Sequence, residues 1–233
     1  MMRRLALTLA LVAPGGAWAD YALPQGCTAY ATIQKRACIV SHLYTCAGDA
    51  PGMQWRVDLG EDGPTFYGRI DAETQWVESH HLEAGRVEEL EGGTDPASFS
   101  ALLATNRDDY DFVTIDDAGY RTRFTGIDLL TGESRVIDGV TLEQTEFSIT
   151  ATDADTGAFL WSSSGNEWIQ RDWRTFISGT STLQTGSEEW QDDRSPMEIA
   201  RPGEPGFLAE SPRHDCGALM SFAVPLPLPN ERL

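Results

Sequence analysis

The sequence predicts a mainly β protein: an antiparallel, strongly curved sheet or partly closed barrel of about ten strands, with one short helix. Two observations carry this. From Asp109 to Ile177 the chain runs as segments rich in β-branched and aromatic residues (DYDFVTID, YRTRFTGIDLL, SRVI, VTLEQTEFSITAT, AFLW, NEWIQRDWRTFI), separated by Asp117-Ala118-Gly119, Thr131-Gly132, Asp138-Gly139, Asp155-Thr156-Gly157 and Ser164-Gly165. Glycine paired with Asp, Thr or Ser at such short intervals punctuates consecutive hairpins. Upstream, Met53, Trp55, Val57 and Leu59 alternate with Gln54, Arg56 and Asp58, the period-two pattern of a strand with one buried face.

Residues 1–19 read as a secretory signal. Arg3 and Arg4 form a positive end, Leu5 to Val12 an apolar run, and Ala17-Trp18-Ala19 a small-x-small site, so cleavage is expected between Ala19 and Asp20. The apolar run is far shorter than the roughly twenty residues that cross a bilayer, and no other segment is long and apolar enough to do so. The remainder divides into a single antiparallel β domain, 20–218, and a Pro-rich C-terminal tail, 219–233. In export signal, size, strand succession and short helix the chain resembles the half-barrel carriers that ferry lipoproteins across the periplasm, a resemblance of architecture.

Four cysteines, Cys27, Cys38, Cys46 and Cys216, in an exported chain imply two disulfides rather than metal binding or catalysis. If ACIVSHLYTC is a strand, Cys38 and Cys46 stand about 26 Å apart, against about 4.4–6.8 Å for a bridge. They therefore do not pair, and Cys216 joins one of them while Cys27 takes the other. Cys27–Cys38 with Cys46–Cys216 is the preferred arrangement.

Taken in order, Asp20 to Arg36 reads as loop with a short helical turn. Strands follow at Ala37–Cys46, whose two faces are both apolar, at Met53–Leu59 and at Phe66–Ile70, where Gly68 marks a bulge or close contact. Gln75–His81 and Arg86–Leu90 continue the series. Asp95 as cap and Pro96 at the first helical position introduce the helix ASFSALLA, with Phe99, Leu102 and Leu103 on one face. Val140 and Leu142 share one parity and Phe147 and Ile149 the other, so a bulge is expected near Glu143–Thr145. Ser178–Trp190 adds a hairpin around Gly186. Beyond Asp193, Pro196, Pro202, Pro205 and Pro212 predict irregular extended chain pinned at Cys216.

The balance of 17 basic to 36 acidic residues, net charge −19, argues against nucleic acid and anionic lipid as partners. No motif calls for a metal or cofactor. His80 and His81 point to opposite faces of a strand, His42 is expected to be packed, and His214 stands beside a disulfide-bonded cysteine. Asp153-Ala154-Asp155-Thr156-Gly157 opens like a calcium loop but places Ser164 where the bidentate Glu belongs. No G-x-S-x-G occurs, and no two carboxylates stand out for acid–base work.

Trp161, Trp168, Trp173 and Phe176 crowd neighbouring strands. They are the candidate lining of a cleft for an apolar or amphipathic ligand. The expected function is that of an exported, periplasmic, soluble and non-catalytic binding protein. An envelope accessory protein that binds another protein by a sheet edge or the Pro-rich tail is the second reading, and a carboxylate-based hydrolase the third.

Overall fold

A computed structural model describes residues 21–217; the expected signal segment 1–19 and tail 219–233 lie outside them. In chain order the strands are β1 (Cys27–Lys35), β2 (Ile39–Cys46), β3 (Gln54–Gly60), β4 (Gly63–Ile70), β5 (Trp76–His81) and β6 (Arg86–Asp95). The helix α1 (Phe99–Thr105) follows, then β7 (Arg107–Asp116), β8 (Arg121–Ile137), β9 (Val140–Asp153), β10 (Phe159–Gln170), β11 (Thr175–Thr185), β12 (Glu188–Asp193) and β13 (Pro196–Ala200). All belong to one antiparallel sheet in which each strand pairs with its chain neighbour, except that β13 pairs with β1. The sheet is not closed by a ladder, but its two end strands, β12 and β13, are separated by Arg194 and Ser195 alone. The Arg194 amide bonds the Gly179 carbonyl beside one edge, and the Ser195 carbonyl accepts from the Arg36 amide beside the other. The chain thus steps from one end of the sheet to the other in two residues.

The register defines one continuous inner face. It carries Ala31, Ile33 and Lys35, then Ser41 and Leu43, then Arg56 and Asp58, and continues through Phe66 and Gly68. Further round it carries Asp108, Tyr110 and Phe112, Phe124 and Asp128, Thr145 and Phe147, and Glu167 and Ile169. The roll is deep enough for its ends to overlap. Inner-face Ala31, Ile33 and Leu43 pack on Trp168 and Ile177, which lie on the opposite face of β10 and β11 from Glu167 and Ile169. The tip of the β8–β9 hairpin joins this core through Val140 and Leu142, and Asp138 accepts the Ile199 amide of β13 at 2.8 Å.

Outside β1–β3 lies a second cover, the segment 201–217. Leu208 donates to Thr32 Oγ1 at 2.8 Å, Arg213 to Gln34 Oε1 at 3.1 Å, and Cys38 to the His214 carbonyl at 2.8 Å. Phe207, Tyr21 and Leu23 pack on Val40, Tyr44 and Val57. This double cover explains the apolar groups on both faces of β2. His42, fully buried there, sits 3.0 Å from Thr32 Oγ1.

Several expectations are corrected. There are thirteen strands among the described residues rather than about ten. The segment read as loop is β1: with both faces covered, even Gln34 and Lys35 are buried and no period-two pattern survives. β13 emerges from the proline-rich stretch because it needs only one partner, β1. Thr131-Gly132 and Ser164-Gly165 are not turns but irregularities inside β8 and β10; at Gly165 a Cβ would collide with the Thr180 carbonyl. Conversely NEWIQRDWRTFI is broken by a turn at Arg171–Arg174. β9 has no bulge at Glu143–Thr145: Val140 and Leu142 lie on its opposite face from Phe147 and Ile149 and pack in the overlapped core, and the register shift falls in β8, where Thr131, Gly132 and Glu133 stand opposite Gln144 alone. Ser98, not Asp95, caps α1, accepting from the Ala101 amide, while Asp95 still pairs with Asp111 in the ladder. The Phe99 amide is held by the Glu73 carbonyl, so tertiary contacts place the helix start three residues later.

The disulfides are Cys27–Cys46 and Cys38–Cys216. Cys38 and Cys46 are indeed unpaired with each other, but the preferred arrangement was wrong, and the missed β1 is the reason. Cys27 and Cys46 are direct partners across β1 and β2, which leaves Cys38, in the tight β1–β2 turn, to hold Cys216. No cysteine among the described residues is free. This is the cysteine usage of a chain that folds in an oxidising compartment. Among the described residues no helix is long and apolar enough to cross a membrane.

Candidate functional site

The four aromatics singled out in the sequence do not form one cleft. Trp168 and Trp173 share the core between the overlapped layers: Arg135 lies 4.2 Å above the Trp168 ring, and Trp173 packs edge-on against Tyr30. Phe176 lies on the inner face under α1, edge-on to Phe99. Trp161 belongs to a third group, an aromatic row on the inner face.

That row runs across β7, β8 and β10. Tyr110 lies 5.9 Å from Phe112, Phe112 stacks on Phe124 at 5.2 Å, and Phe124 meets Trp161 at 5.8 Å. Phe112 and Phe124 are direct cross-strand partners, which brings their rings together. Trp76, 41 % exposed, stands edge-on to both at 5.5 and 5.4 Å and covers them from the solvent side. Gly126 makes room for Tyr110, whose ring passes where a side chain on β8 would sit.

Three carboxylates continue the same face beyond Tyr110. Asp108 and Asp128 are direct partners across β7 and β8, and Glu167 lies two strands on, beyond Thr145 of β9. Two other inner-face acids have counter-ions: Asp58 has Lys35 and Arg56, and Glu88 has Arg86; Asp116 and Asp153 instead accept turn amides. Among the described residues Asp108, Asp128 and Glu167 form no ion pair. Asp108 accepts the Ser98 amide at 2.8 Å. Asp128, Glu167 and the Tyr110 hydroxyl receive no side-chain hydrogen bond from described residues, although Asp128 and Tyr110 are buried and Glu167 half-buried. Between them the Thr145 hydroxyl, 0 % exposed and directly opposite Glu167, has no hydrogen-bond partner among the described residues.

Their titration is displaced accordingly. Burial, with the Glu167 and Asp108 carboxylates adding to it, pushes Asp128 up to about 8. Burial lifts Glu167 to about 7 against the pull of Arg56 and Lys35. Asp108 rises to about 6, again through burial, opposed by its bond to Ser98 and reinforced by Asp95, Asp109 and Glu73. Burial also raises the Tyr110 phenol. Clustered displacements of this kind on one face mark a candidate site.

A second buried charge group stands at the start of the inner face. Lys35 Nζ is 3.3 Å from Asp58 Oδ1, Ser41 donates to the same oxygen, and Arg56 Nε is 3.3 Å from it. Burial lowers Lys35 to about 8, with Asp58 opposing. Burial works to raise Asp58, but Arg56, Lys35 and Ser41 outweigh it and hold the carboxyl at about 2. Every Asp58 contact is internal, so this group is built for structure.

Two open polar clefts lie elsewhere. One, of about 430 Å³, is bounded by Gln34, Asp138, Glu198, Glu204 and Arg213 under the outer cover; the other, of about 460 Å³, lies at the irregularity of β8 beside Glu143 and Arg171. Neither includes the four predicted aromatics. The described residues that come within metal-binding reach of one another are Cys38, Glu61 and Cys216, whose sulfurs are joined to each other. His80 turns to Glu78 and His81 to Phe66, on opposite faces.

Comparison with protein-family models, curated proteins and solved structures returns no match. The site is therefore read from its own geometry. The sequence contained an overlooked signal for it: Asp108 shares parity with Tyr110, Phe112 and Thr114, and Asp128 with Phe124 and Thr122, acids in the phase of a buried face.

Proposed function

We propose that the protein is an exported, non-catalytic binding module of the cell envelope that holds an amphipathic small molecule against the inner face of its rolled sheet. One observation carries this reading: an aromatic row covered by a half-exposed indole, Trp76, continues directly into three carboxylates that form no ion pair among the described residues. A ligand whose apolar part replaces the Trp76 ring over Phe112 and Phe124 gains aromatic contact, and its polar end then meets Asp128 and Glu167. Of the expected cleft, Trp161 remains in this site; Trp168, Trp173 and Phe176 serve packing.

The hydrolase reading is weaker on chemical grounds. Two-carboxylate hydrolysis needs one carboxyl held protonated and its neighbour held ionised. Asp108, Asp128 and Glu167 are all displaced upward, and the one strongly acidic group, Asp58, is enclosed by Lys35, Arg56 and Ser41. Capture of a partner strand along β12 is weaker too, because Glu188, Glu189, Asp192 and Asp193 line that edge with charge.

The test is native mass spectrometry of the protein taken from its own compartment, with a tryptophan-fluorescence titration using medium-chain alcohols, fatty acids and lysolipids. A retained adduct, or a saturable spectral shift lost in Trp76→Ala, supports binding at this face. A bare mass together with a flat titration removes it.

A further inference from the structure

The geometry points to the chemical class of the polar end: we propose that the recess of Asp128, Glu167 and Thr145, with Tyr110 at its side, takes the primary ammonium group of an amphipathic amine. This rests on the binding function proposed above and makes it specific. Acceptors are on offer there, since two carboxylates that receive no hydrogen bond within the described chain lie on the same face of the sheet as Thr145, one of them directly across from it. Among the described residues no cation forms an ion pair with them: Lys35 and Arg56, whose charge reaches Glu167, are paired with Asp58, and Arg86 with Glu88.

A primary ammonium carries three N–H donors and no acceptor, the complement of this set once its own charge holds Asp128 and Glu167 ionised. It satisfies the isolated Thr145 oxygen, which otherwise costs free energy where it stands. Phe147, the direct neighbour of Asp128 across β8 and β9, and Tyr110 add aromatic surfaces to which a cation is attracted. An anionic head would meet Asp108, Asp128 and Glu167 together; an alcohol offers one donor for three acceptors. The carbon chain follows the row from Tyr110 through Phe112 and Phe124 towards Trp161.

The test uses the mature protein and three probes of equal chain length below their micellar concentrations: decylamine, decanol and decanoate, each titrated by calorimetry and tryptophan fluorescence. Decylamine is expected to bind roughly tenfold or more tightly than decanol, with decanoate weakest. In Asp128→Asn/Glu167→Gln that preference over decanol is expected to vanish. In Thr145→Val, which keeps the side-chain shape, decylamine is expected to weaken severalfold, and more than decanol. Equal affinities for the three probes would overturn the ammonium site and leave the binding function standing. No binding of any probe would remove both. A decylamine preference that persists undiminished in both variants would assign it to the acidic exterior and overturn the proposal.

Discussion

Asp193 ends the strand at one edge of the sheet and Pro196 begins the strand at the other, with Arg194 and Ser195 between them. The two edges are therefore tied by the chain where no ladder joins them. Inserting Gly-Ser-Gly-Gly between Arg194 and Ser195 releases the bonds to Gly179 and Arg36 and lengthens the tie. A loss of about 1–3 kcal/mol is expected in urea unfolding, mostly from the two hydrogen bonds. Unchanged stability would mean that the overlapped core alone sets the roll.

Asp58 gathers Lys35, Ser41 and Arg56 inside the sheet. Asp58→Asn leaves the buried lysine without its carboxylate and is expected to cost about 3–5 kcal/mol by denaturant titration. Lys35→Met/Asp58→Asn should recover part of this, because the unpaired charge is the main penalty. The folded carboxyl is depressed, so its contribution is present above its ordinary value and is lost as pH falls towards about 2.

The two disulfides differ in what they hold. Cys27–Cys46 closes a separation of 19 residues between strands already paired, and Cys38–Cys216 one of 178 that fastens the outer cover. In the chain-entropy account these are worth about 3 and about 5 kcal/mol. Cys38→Ser/Cys216→Ser is expected to lower Tm more than Cys27→Ser/Cys46→Ser and, unlike it, to bare the Tyr44–Val57 face to limited proteolysis.

Asp128 gives a pH-dependent signature. Its folded carboxyl is raised from 3.8 to about 8, so the folded state favours the protonated acid, and stability is lost as pH rises through that window. Asp128→Asn mimics the protonated group. The variant and the parent should melt alike near pH 4 and diverge up to pH 8, the variant becoming more stable by at most about 1.4 kcal/mol per pH unit. His42 and His81, both lowered to about 4 by burial, act in the opposite direction below their ordinary value but cancel between the two proteins. A constant difference in Tm across this range would show that Asp128 is not shielded from water.

Much of the fold was legible in the sequence because hairpins are local: Met53–Leu59 shows its buried face by alternation, and the β11–β12 hairpin by Gly186. What was not legible depends on distant cover. β1 has no exposed face because the segment 201–217 and the overlapped layers bury both sides, and Lys35 looks like a surface residue until Asp58 is known to meet it. The N-cap moved from Asp95 to Ser98 because Glu73, from the β4–β5 turn, fixes the start of α1. At the site, tryptophan content drew attention to Trp168 and Trp173, which pack between layers. The acids that complete the recess, Asp108 and Asp128, are ordinary in composition and exceptional only in facing inward.

The most direct test of the account is the set of indole N–H signals in a ¹⁵N-labelled sample titrated with decanol. Trp76 and Trp161, on the inner face, are expected to shift together and to saturate, while Trp55, held by Asp49 on the outer face, stays in place. Shifts confined to Trp55, or no shift at any indole, would contradict binding on the inner face of the rolled sheet.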